Sequence, residues 1–172
     1  MIRNFWLNSV LVPLTVLVAL TLICQMAEAQ VKPFKVKGEG SGPVGLSVIG
    51  APSPYGVTGT ATHLGKYSGV GFAQVTGPGT FTGAFDFVAA NGDVLSCVHP
   101  GTFALYPDGN GRLFAIFDAI FTPTSASTGK FANVGGSFRM IAITESFDIL
   151  ETGSTTPFDF EWQGEGSLEF EK

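Results

Sequence analysis

"TFTGAFDFVAANGDVLSCV", residues 80–98, decides the fold. Phe81, Gly83, Phe85 and Phe87 alternate with Thr80, Thr82, Ala84 and Asp86, the two-residue period of a strand with one buried face. Asn91-Gly92 interrupts the run, and "DVLSCV" resumes it. Asn and Gly both tolerate the positive φ of a type I′ turn, so the stretch reads as a hairpin. If the rings face inward, Asp86 faces outward, and Asp93, just after the turn, satisfies turn amides.

The same pattern extends along the chain. Leu113, Ala115, Phe117 and Ala119 alternate with residues that include the apolar Phe114, Ile116 and Ile120, which predicts a strand covered on both sides. "PDGNG" at 107–111 marks another reversal. Further strands are expected at Phe34–Gly40, Val44–Ile49, Thr58–Leu64, Tyr67–Val75, Gly136–Thr144 and Phe158–Phe170. All 23 glycines lie after residue 29. Each glycine inside a helix costs about 1 kcal/mol, which excludes long helices there. About eight to ten short strands joined by tight turns make a sandwich or a barrel. Glycine inside strands marks bends and close backbone approach, which favours the barrel. "GEGS" occurs at 38–41 and again at 164–167, which places the first and last strands side by side. The expected fold is all-β: a closed antiparallel β-barrel of about eight strands, preceded by a signal-peptide helix.

That helix is read from the amino terminus. Arg3 precedes an uncharged run from Val10 to Ile23, and Ala27-Glu28-Ala29 gives a small-x-small cleavage pattern. Residues 1–29 are therefore expected to be a removed export signal and 30–172 a single domain, placed in the periplasm or outside the cell. The alternative is a retained anchor, since the uncharged stretch extends from Phe5 to Met26. After cleavage no membrane association is expected. The formal charge of −5 argues against a nucleic-acid partner. Of the two cysteines, only Cys97 follows the signal, so no disulfide staples the domain and Cys97 reads as a buried apolar residue.

"GTATHLGKYS" (59–68), "FVAANGDVL" (87–95) and "STGKFANVGGSF" (127–138), in that order behind an export signal, resemble a group of uncharacterised exported bacterial proteins with an allene oxide cyclase-like barrel. The last stretch is also similar to the glycine-rich segment of plant dirigent proteins. The resemblance implies an eight-stranded barrel whose lumen receives small apolar molecules, and leaves a homo-oligomer open. It supplies no catalytic set, because no cyclase residue maps onto a matching position. Physically, Ser127 and Thr128 suit a short turn, and Phe131 with Val134 has the spacing to plug one end of a barrel.

Few residues offer chemistry. His63 and His99 are the only histidines, with no spacing suited to zinc, and no phosphate loop, nucleophile elbow or cofactor motif occurs. No cofactor is expected. The lumen candidates are His63, Tyr106 and Glu145, with Asp86 and Arg139 directed outward by their aromatic or apolar neighbours. The expected function is capture of a small apolar ligand or a structural role. The alternative is an isomerase or cyclase acting in the lumen. A lumen filled by phenylalanine would remove both ligand readings, whereas a cavity with two convergent polar groups would favour chemistry.

Overall fold

The computed structural model describes residues 29–43, 46, 48–148 and 157–171. The expected export signal lies, up to residue 28, outside them. Nine strands follow in order: β1 (Gln30–Pro43), β2 (Pro52–Ala61), β3 (Gly65–Gly77), β4 (Thr80–Ala89), β5 (Val94–Val98), β6 (Gly101–Pro107), β7 (Leu113–Pro123), β8 (Gly135–Thr144) and β9 (Pro157–Phe170). All pairings are antiparallel. β5 and β6 are two pieces of one rung, broken at His99-Pro100, and both bridge β4 to β7. β9 pairs with β1 over the full length of both strands, from Gln30↔Phe170 to Pro43↔Pro157. The sheet therefore closes into an eight-stranded barrel, which removes its edges. Among the described residues, no helix is long and apolar enough to cross a membrane.

The register explains why so much phenylalanine and glycine coexist. Inward-facing glycines sit opposite large rings on the neighbouring strand: Gly38↔Trp162, Gly40↔Phe160, Gly69↔Phe87, Gly71↔Phe85 and Phe138↔Gly166. A Cβ at Gly38 would lie 2.7 Å from Trp162 Nε1, and one at Gly71 2.6 Å from the Phe85 ring. In a narrow lumen a facing residue without a side chain makes room for rings this large, though Phe121↔Phe138 sets two rings directly opposite each other.

Three expectations need correction. In the expected strand Val44–Ile49 the described residues are not extended: Leu46 and Ile49 lie in turns, with residues 44, 45 and 47 outside those described, and Leu46 packs toward Ala115, Phe147 and Phe158. The Asn91-Gly92 turn is not type I′. Only Gly92 has positive φ (87°), Gly92 N–H donates to Ala89 O, and Ala89 N–H donates to Asp93 O. This is a three-residue loop ending in a left-handed glycine, the next commonest hairpin solution. The outer face of β7 is only partly covered: Phe114 and Ile116 are half-buried, and Ile120 is 45% exposed.

Candidate functional site

The barrel has two unlike ends. At the end holding the β2–β3 and β4–β5 turns, a single 3-10 turn, Gly129–Phe131, lies across the opening. Its Phe131 is fully buried with Val134, Phe87, Leu95, Phe138 and Leu168. Ser127 and Thr128 do not cap this turn; they fasten it to β5. Ser127 Oγ accepts from Ser96 N–H at 3.0 Å, and Thr128 Oγ1 accepts from Val94 N–H at 3.3 Å. Phe34 and Phe138 meet with ring centroids 4.6 Å apart, and this half is solid.

The other half holds a cavity of about 100 Å³. Trp162, Phe121 and Met140 line its inner part; Leu46, Pro43 and Thr144 are among the residues contributed by the strand ends and the β1–β2 connection. The hydroxyls of Ser53 and Thr144 apart, the lining is apolar except at one place. There Tyr55 Oη and His99 Nε2 share a hydrogen bond of 2.8 Å.

Each partner is placed by simple geometry. In β2, Ser53, Tyr55 and Val57 share the inward parity, and Tyr55 stacks on Phe85 at 5.3 Å. In the β5–β6 rung, Leu95, Cys97 and His99 share it, and the break at Pro100 leaves His99 at the cavity wall with its ring on Phe121 at 4.5 Å. Gly83 on β4 supplies the room, since a Cβ there would collide with the His99 ring and with Phe72 O. His99 is 2% exposed, and its Nδ1 has no hydrogen-bond partner.

The environment keeps this pair uncharged. Burial pulls the imidazole down to about 4, and the backbone of His99 and Ala84 opposes that only in part. Burial, reinforced by nearby Cys97, pushes the Tyr55 phenol well above its ordinary range. At neutral pH the site is therefore a neutral phenol bonded to a neutral imidazole. Beneath it, Trp162 Nε1–H donates to Tyr67 Oη at 2.7 Å, and Tyr67 donates to Lys37 O. Burial, partly offset by that tryptophan bond, holds the Tyr67 phenol up at about 12. Cys97 is fully buried, its thiol raised first by burial and then by Asp86, so it has no nucleophilic character.

None of the three lumen candidates borders this cavity. His63 sits in the β2–β3 turn with φ 68°; its Nε2–H donates to Pro33 O at 3.1 Å, and its ring edge meets Phe170. Tyr106 lies on the outer face of β6, stacked on Phe114 at 5.6 Å. Glu145 is exposed just past β8, its N–H donating to Asp159 O. The structure thus does not bring these three together. Asp86 and Arg139 point outward, and Arg139 forms a bidentate ion pair with Asp118. Sequence reading missed Tyr55 because the strand was begun at Thr58, and weighed His99 only as a metal ligand. Carrying the parity of Val57 back two residues, and that of Cys97 forward two, would have found both.

Comparison of the chain with family models, with curated proteins and with solved structures found no match.

Proposed function

We propose that this protein captures a small, largely apolar molecule in the hollow half of its barrel, after export to the periplasm or the cell exterior. One observation carries the reading: the lumen is not packed to its end but leaves a cavity walled by Phe81, Phe117, Phe121, Phe160 and Trp162, with one hydrogen-bonded polar pair and the hydroxyls of Ser53 and Thr144 in its wall. Concave apolar sites with a few placed polar groups are the usual form of a small-molecule pocket. A purely structural barrel gains stability by filling such a space, because unfilled volume forfeits packing energy. The composition agrees, since charged residues make up only 13% of the chain and, among the described residues, none lines the cavity.

The test is native mass spectrometry of protein purified from its own culture, followed by titration of Trp162, the only tryptophan after residue 29. The expected result is a co-purifying small molecule whose removal and return shift the Trp162 emission. Protein that is always recovered empty, with an emission unmoved by a panel of neutral apolar compounds, would defeat the reading.

A second reading, an isomerase or cyclase of the allene oxide cyclase-like kind, is favoured by the convergence of Tyr55 and His99 on one cavity. Its difficulty is proton affinity. General acid–base work is most efficient with groups that titrate near the operating pH, and burial has moved this pair in opposite directions away from it. Turnover by such a site would rest on shape and on hydrogen-bond donation to the substrate.

A further inference from the structure

We propose, building on the ligand-binding reading above, that the Tyr55–His99 pair is a donor site, and that the cavity selects an uncharged molecule bearing one hydrogen-bond-accepting oxygen, of the ketone or aldehyde class, over hydrocarbons, carboxylates and amines of the same size.

The argument is a count of hydrogens. A neutral phenol and a neutral imidazole carry one polar hydrogen each, and one hydrogen bond joins them. If Tyr55 donates to Nε2, the imidazole hydrogen resides on Nδ1, which is buried beside the backbone of His99 and Ala84, out of a ligand's reach, and forms no hydrogen bond. If Nε2–H donates to Tyr55, the phenolic hydrogen is the one left over, since Tyr55 Oη makes no other hydrogen bond among the described residues. Only in the second arrangement does the spare donor, the phenolic O–H, belong to the cavity wall, and among the described residues it then has no acceptor. A buried donor left unmatched is costly, and a carbonyl oxygen from a ligand removes that cost. The rest of the wall explains the charge selection. Among the described residues no Lys, Arg, Asp or Glu lines the cavity, so a carboxylate or an ammonium would be buried there without a counter-charge. The cavity of about 100 Å³ sets the size: an apolar cavity of about 150 Å³ accommodates benzene, so the enclosed part of the ligand is smaller than a six-membered ring, and the rest of such a ring stands in the open mouth.

Four probes of matched shape test this: cyclohexanone, methylenecyclohexane, cyclohexanecarboxylate and cyclohexylamine, each titrated into the purified protein while NMR follows the Trp162 indole and the Met140 methyl, both at the cavity wall. The expected result is that cyclohexanone shifts these signals and binds at least about fivefold more tightly than methylenecyclohexane, the two charged probes being no better than the hydrocarbon. In the double variant Tyr55→Phe/His99→Leu, which removes both donors, the ketone should fall to the level of the hydrocarbon while hydrocarbon binding persists. Equal binding of ketone and hydrocarbon by the unaltered protein, tightest binding of either charged probe, or a ketone preference that survives in the folded double variant would each overturn the donor assignment and leave lumen capture standing. If none of the four moves either signal, it is the lumen reading itself that falls. Should the double variant not fold, the four probes on the unaltered protein decide alone.

Discussion

At one end of the barrel Phe34 and Phe87 each meet the ring of Phe138, and Phe131 meets Phe170, the first four with almost no exposed surface; at the other Tyr55, Phe81, Phe117 and Phe160 stand around open space. Both ends are built by the same alternation on the same strands, and both are aromatic. Two things separate them. The solid end receives an additional side chain, Phe131, from a segment that is not part of any strand. The hollow end places a hydrogen-bonded polar pair where a ring would otherwise fill the gap. A barrel of this size is poised between packing itself and holding a guest, and here one lumen does both.

The contrast can be broken most severely at the plug. Phe131→Ala should open the solid end and lower unfolding stability by about 3–5 kcal/mol, because a fully buried ring is removed and the surrounding strands cannot collapse into the hole; urea denaturation reads the loss, and a change within error would show that the plug is not part of the core.

The hollow end should reveal itself through pH. The folded His99 titrates at about 4 against 6.5 in the unfolded chain, so as pH falls the unfolded chain takes up the proton first. Stability is then fully present above about pH 6.5, declines by about 3 kcal/mol down to about pH 4 and levels off below, as far as this group is concerned. Asp118, held low mainly by its hydrogen bond to Arg139, takes up its proton only further into acid, and its ion pair is too exposed to move stability measurably. The difference between unaltered protein and His99→Leu, measured by denaturation across this range, isolates the histidine; parallel curves would mean that His99 is not buried neutral.

Between the two halves stands the Trp162–Tyr67 bond. Tyr67→Phe leaves the indole N–H without an acceptor, and a loss of about 1–3 kcal/mol is expected, with a shift in Trp162 emission. An unchanged emission maximum would indicate that the boundary is not held there. The smallest effect is reserved for the outside: Asp118→Asn breaks an ion pair that is largely solvent-exposed, and neither stability nor ligand binding should change measurably.

Much of the architecture was legible because strand parity and turn chemistry are local. Phe81 to Phe87 declare an inward row whatever the rest of the chain does, and Asp108 shows why "PDGNG" reverses: its carboxylate accepts from the N–H groups of Asn110 and Arg112. Where local signals were read too literally they failed. A type I′ turn asks for a left-handed Asn91, whereas only Gly92 adopts that conformation, and the expected strand at Val44–Ile49 gives way to turns at Leu46 and Ile49. The site was less legible than the fold. His63 drew attention because it lies in a distinctive stretch, yet it serves a turn; Tyr55 sits between Pro54 and Gly56, residues that disguise a strand, and only pairing with β1 and β3 establishes it as one.

By itself the sequence determined that the chain after residue 29 is β, that its strands turn about where Gly, Asn and Asp allow, and that its first and last strands adjoin. The first two follow from backbone preferences and side-chain alternation within a few residues, the third from the repeat of "GEGS" at 38–41 and 164–167. Only the tertiary structure decided which glycine faces which ring, that Phe131 fills one end, and that Tyr55 meets His99, residues 44 positions apart, beside a cavity. Those outcomes depend on strand register, and register is set by the closure of the whole sheet, which no local stretch encodes.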